Sequence, residues 1–161
     1  MGLLTTDFFM QQGGLHGLRA IEMGQLIAGP FCGQLMGDHG AEVIKIEQPG
    51  EGDPMRSWGR GKPVWFPVIG RNKKCITLNL RTPRGQELAR ALIQQSDFLI
   101  ENFRPGTLEK WHLGFEQLRA IHRGLIMVRV SGYGQTGPYA SRAGYGSIGE
   151  AMGGMRRSEE H

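Results

Sequence analysis

Hydrophobic and polar positions along the chain follow two periods in turn, one of two residues and one close to four. Leu18 to Met23 reads as a short strand, Gly24 to Gly29 as a loop, and Pro30 to Asp38 as a helix with proline in its first turn, where a missing N–H is harmless. The helix stops at His39-Gly40, and Ala41 to Glu47 (AEVIKIE) alternates as a strand with one wetter face does. From 48 to 74 the breakers Pro49, Gly50, Gly52, Pro54, Gly59, Gly61, Pro63, Pro67 and Gly70 predict a long loop with no extended regular element. Cys75 to Leu80 is a strand, Thr82 caps a helix to about Gln95, and Asp97 to Asn102 is the next strand. Short helices at Gly106 to His112 and Glu116 to His122 lead to Leu125 to Ser131, whose apolar run suits a buried parallel strand. This alternation predicts an α/β fold, an open and mostly parallel sheet with helices on both faces and right-handed crossovers. The expected division is a leader arm over 1–16, one domain over 17–155 and a polar tail over 156–161.

Composition narrows the class. With 161 residues, 39% hydrophobic and 21% charged, the chain suffices for one domain with a single core. No apolar run reaches the roughly 20 residues that cross a bilayer, and the opening MGLLTTDFFMQQGG lacks a basic leader, so a cytoplasmic location with no membrane partner is expected. Cys32 and Cys75 are too few for a disulfide framework and have no metal-ligand neighbours, which predicts buried free thiols and no metal. The formal charge of +4 is compatible with nucleic acid, an anionic surface or a phosphorylated ligand. Arg56, Arg60, Lys62, Arg71, Lys73 and Lys74 crowd the breaker-rich stretch, favouring a local anion site over a nucleic-acid groove; a solvated loop is the plain alternative.

In open parallel sheets ligands bind beyond the carboxyl ends of the strands. The loop after the first strand, Gly24-Gln25-Leu26-Ile27-Ala28-Gly29-Pro30, has glycine at both edges and feeds a helix N-terminus, which suits an anion. It is not GxGxxG, although Glu47 at the end of the second strand keeps a dinucleotide site as a minor alternative. After the DFLIEN strand, Asn102-Phe103-Arg104 offers an amide, an aromatic face and a guanidinium in consecutive positions; an ordinary surface turn has the same look. Ser131 to Pro138 is a glycine-rich turn that admits close backbone approach or simple flexibility. His16, His39, His112 and His122 stand singly and read as structural, and no G-x-S-x-G occurs.

Four ordered segments carry a resemblance, LHGLRAIEMGQLIAGPFCGQLMGDHGAEVIKIEQPGEGDPMR, RNKKCITLNLRTPRGQEL, DFLIENFRPGTLEKWHLGFEQL and LIMVRVSGYGQTGPYASRAGYGSIGEAMGG, spanning about Leu15 to Met155. The pattern resembles the family III CoA-transferases, the CaiB/BaiF group that includes formyl-CoA and carnitine CoA-transferases. By position, the resemblance implies that Gln25, Leu26, Ile27 and Ala28 line the pantetheine and diphosphate path of coenzyme A, with Gln48 near the nucleotide end. It implies that Leu78 and Arg81 flank the adenosine, that Asn102 and Phe103 hold the nucleotide and thiol-proximal arm, that Lys110 sits near phosphate, and that Tyr133 faces the acyl end. Acyl-CoA and a carboxylic acid are the implied substrates, and an interlocked homodimer the implied assembly of a full-length relative. The implied nucleophile is an aspartate downstream of the Gly-Gly matching Gly153-Gly154, beyond His161, so the chain is expected to be an N-terminal portion without its own catalytic residue. That carboxylate would attack the thioester carbonyl to give an anhydride and a bound thiolate, and then an enzyme-CoA thioester. The related α-methylacyl-CoA racemases share the scaffold but use a Gly-His-Asp histidine, where this chain has Gly144-Tyr145-Gly146. A non-catalytic remnant that binds CoA is the other alternative.

Overall fold

The computed structural model describes residues 13–155, so residues 1–12 of the expected leader arm and the tail lie outside the described residues. The strand β1 (Arg19–Glu22) leads through α1 (Ala28–Asp38) to β2 (Glu42–Glu47), a 3-10 turn at Pro54–Ser57, α2 (Trp65–Ile69) and β3 (Lys73–Thr77). Then come α3 (Pro83–Ile93), β4 (Phe98–Glu101), α4 (Thr107–Lys110), α5 (Phe115–Ile121), β5 (Ile126–Arg129) and α6 (Gly146–Met152). The five strands form one parallel sheet in the order β3-β2-β1-β4-β5, with Ile21 of β1 opposite both Ile44 and Leu99. The chain winds outward from β1 to β3 and then returns past it to β4. That reversal leaves a crevice at the carboxyl ends of β1 and β4.

Successive side chains on a strand face opposite ways, so each strand contributes to two layers. On one face Ile21, Met23, Ile46 and Leu99 pack against Ala89 and Ile93 of α3, Leu108 of α4 and Leu118 of α5. On the other, Ala20, Val43 and Ile100 are covered by Cys32 and Met36 of α1. That second face also carries buried Glu22, Lys45 and Glu47, which no hydrophobic period anticipates. Helix α1 settles so close to them that a Cβ on Gly33 would collide with the Glu22 carboxylate.

The structure departs from the sequence reading in four places. The breaker-rich stretch holds two short elements, because Pro54 presets the 3-10 turn and the Asp53 side chain accepts the Met55 amide at 2.9 Å. Strand β3 starts at Lys73, not Cys75, since Lys73 and Lys74 pair in register with Val43 and Ile44 of β2, and the Lys73 ammonium is buried against Glu22. Among the described residues strand β5 lies at the sheet edge, its apolar run is not fully covered and Ile126 is 54% exposed. Helix α6 went unread because glycines at 146 and 149 interrupt its helical period. The cysteines also differ from expectation: Cys32 is half-buried and Cys75 is exposed, both as free thiols.

Candidate functional site

The crevice is roofed by the turn between β1 and α1, which is gripped from several sides. Gly24 and Gly29 lie back to back; a Cβ on Gly24 would sit 2.9 Å from the Gly29 Cα and 3.0 Å from the Asn102 Oδ1. Across the crevice, Asn102 Oδ1 accepts from the Gln25 amide at 2.7 Å and its Nδ2 donates to the Gln25 carbonyl at 2.9 Å. A side-chain amide therefore stands in for a backbone partner and ties β1 to β4 at the switch point. Helix α1 has no side-chain cap at its N-terminus, so its first-turn amides keep their capacity for an anion.

Beneath this turn runs a buried chain of charges. Lys73 pairs with Glu22 at 2.6 Å, Glu22 with Lys45 at 2.7 Å, and Lys45 with Asp53 at 2.8 Å, all with side chains at most 1% exposed. Two cations and two anions cancel, which is how such groups are tolerated inside a fold. Burial works against the Lys45 charge, but the Glu22 and Asp53 carboxylates outweigh it and hold the ammonium above the usual lysine range. For Lys73 burial prevails over Glu22 and pushes the ammonium below that range. Lys45 also donates to the Gly24 carbonyl at 2.8 Å and Lys73 to the Pro30 carbonyl at 2.5 Å.

Under the turn opens a cleft of about 250 Å³ whose lining includes Gln25, Gln48, Leu78, Arg81, Phe103 and Trp111. Phe103 meets Trp111 edge to face at 5.3 Å between ring centroids. The Phe103 amide donates to Glu101 at 2.7 Å, and Arg129 donates to the same carboxylate at 2.7 Å. Burial still leaves the Glu101 carboxyl above the ordinary range, with Arg129 opposing. An adjoining open groove of about 520 Å³ shares Glu47 and Gln48 with the cleft and is lined further by Arg56 and Thr77.

Five residues named from sequence thus share one cleft: Gln25, Gln48, Leu78, Arg81 and Phe103. Asn102 lies behind it, holding Gln25. Leu26, Ile27 and Ala28 follow on the same turn outside the cleft lining, with Ile27 48% exposed. Lys110 is exposed at the end of α4, and Tyr133 stacks edge-on against Tyr139 at 5.6 Å; neither lines the cleft. Sequence reasoning missed Glu22, Lys45 and Asp53. The signal available was the lysine within AEVIKIE, a charge on the same strand face as Val43.

Glu47, the acid that kept a dinucleotide site in view, is already engaged. It accepts from Arg56 Nε and Nη2 at 2.6 Å each and from the Asp53 amide at 2.8 Å, and the Arg56 guanidinium lies 3.7 Å over the Phe66 ring. Burial pushes the Glu47 carboxyl up, but Arg56 and the Asp53 amide prevail and hold it below the usual carboxylate range. A depressed folded-state value stabilises fully above the unfolded value and is lost as pH falls through the folded one. Arg56→Ala should therefore raise the midpoint of acid unfolding followed by circular dichroism; an unmoved midpoint would count against this pairing. Among the described residues no group of three or more His, Cys, Asp or Glu is arranged to hold a metal, and no helix is long and apolar enough to cross a membrane.

The sequence pattern of CoA-transferase family III matches residues 15–159. The chain is 62% identical over 146 residues to a succinyl-CoA--D-citramalate CoA-transferase of Chloroflexus aurantiacus, covering 88% of this chain and 36% of that protein. It is 42% identical to the succinyl-CoA:glutarate CoA-transferase of Mus musculus, covering 88% of this chain and 33% of that one. A crystal structure of a CAIB/BAIF family protein from Brucella suis superposes with a TM-score of 0.84 at 40% identity, covering 94% of this chain and 44% of that chain. The chain spans about a third of the length of the curated relatives it matches.

Proposed function

Because the chain belongs to CoA-transferase family III, we propose that residues 17–155 form the N-terminal CoA-gripping domain of an enzyme that moves coenzyme A from an acyl-CoA thioester to a carboxylic acid. The observation that carries this reading is the cleft under the β1–α1 turn, where Gln25, Gln48, Leu78, Arg81 and Phe103 meet. Its lining fits the ligand: Leu78 and the Arg81 guanidinium would flank an adenosine, and Phe103, paired with Trp111, would hold the nucleotide and the thiol-proximal arm. Leu26, Ile27 and Ala28 would meet the ligand through backbone, while Lys110 and Tyr133 would contribute at its margins. These residues would bind and orient; holding the thiolate beside the acyl anhydride, from which its attack expels the carboxylic acid, replaces an encounter from solution. Relatives named for succinyl-CoA support a short dicarboxylic donor, with a second carboxylate as acceptor.

The intertwined homodimer implied by the resemblance is supported by the apolar residues exposed on α1 and α2, Phe31, Leu35, Trp65 and Val68. Free Cys32 and Cys75 fit a reducing compartment such as the cytoplasm. Titration calorimetry of the 161-residue chain tests the reading. CoA should bind in a saturable manner and NAD should not. Equal binding of both, or of neither, would remove it.

A further inference from the structure

We infer that Asp53 is a positioning residue for coenzyme A, acting through Leu26: the carboxylate locks the β1–α1 turn into a strained shape that Gln25 needs to face the cleft. Leu26 has φ of +62°, a left-handed conformation that a leucine adopts only when its surroundings impose it. Only one side chain reaches its amide among the described residues. Asp53 Oδ1 accepts it at 3.0 Å, and the same oxygen accepts the Met55 amide at 2.9 Å. The other oxygen pairs with Lys45 at 2.8 Å, so the Leu26 and Met55 amides and the Lys45 ammonium fix the carboxylate from three directions, while the Asp53 amide donates to Glu47 at 2.8 Å. Asp53 itself is 2% exposed and does not line the cleft.

The turn is thereby held at Gly24 by Lys45, at Gln25 by Asn102, at Leu26 by Asp53 and at Pro30 by Lys73. Three of these four holds belong to the buried charge chain, whose last member is Asp53. A fold that merely needed its charges neutralised has no need to route an oxygen to a left-handed leucine. Preorganising the turn in the free protein spares the ligand the ordering of its own site.

This inference rests on the CoA-binding reading, and the experiment separates the two. CoA affinity is measured for the 161-residue chain and for the Asp53→Ala, Asp53→Asn and Asp53→Ala/Leu26→Gly variants, alongside exchange of the Leu26 amide without ligand. Asp53→Ala should weaken CoA binding about tenfold, and Asp53→Asn, which keeps an acceptor, should weaken it less. Glycine at 26 adopts positive φ without strain, so the double variant should recover most of the loss. Exchange at Leu26 should quicken in both single variants. If Asp53→Ala does not fold, Asp53→Asn carries the test through the same two readouts. Native-like CoA affinity alongside quickened exchange would overturn the inference, as would a double variant no better than Asp53→Ala. Failure of the unmutated chain to bind CoA would instead defeat the reading beneath it, and the inference with it.

Discussion

Lys45→Met should destabilise the protein by about 3–5 kcal/mol, because it strips the shared cation from two buried carboxylates. Lys45 is 1% exposed and, among the described residues, is the one group that pairs with both Glu22 and Asp53. Glu22 would retain Lys73, but Asp53 would keep only backbone donors. Methionine fills the volume, so packing changes little and the loss reports the stranded charge. At this chain length each kcal/mol moves the thermal midpoint about 2–4 °C, which makes the effect plain in a melting curve. A shift below about 1 kcal/mol would contradict the role of Lys45 as the cation these carboxylates depend on.

Asn102→Ala should lower CoA affinity about tenfold and destabilise the fold by about 1–2 kcal/mol, the lower part of the range for groups left without partners. The variant leaves the Gln25 N–H and carbonyl, 2.7 and 2.9 Å from the asparagine amide, without their partner across the crevice. It also removes the atoms against which Gly24 and Gly29 pack, so the turn gains freedom where it borders the cleft. The two effects are separable, one read by calorimetry and the other by denaturant titration. Unchanged affinity at reduced stability would demote Asn102 to a structural tie.

Most of the sheet was legible because its strands are short apolar or alternating runs bounded by breakers. AEVIKIE alternates, DFLIEN is short and bounded, and both were placed within a residue or so of β2 and β4. The β1–α1 turn was legible as well, from glycines at 24 and 29 and a proline at 30. What stayed hidden depends on contacts between distant positions. Lys73 looks like one of six loop cations, yet it is a strand residue whose ammonium meets a glutamate from β1. Asp53 looks like a turn former, which it is, and nothing local signals that its oxygen reaches Leu26 from 27 positions away. Edge status escaped for the same reason, since the absence of a neighbour beyond β5 among the described residues is a property of strand order and not of Leu125 to Ser131.

Hydrogen exchange of the whole chain, with and without saturating CoA, bears most directly on the claim that one cleft at the carboxyl ends of β1 and β4 holds the coenzyme. Slowed exchange is expected together at Gly24 to Gly29 and at Asn102 to Arg104, with α5 unaffected. CoA bound at saturation with neither segment slowed would contradict it.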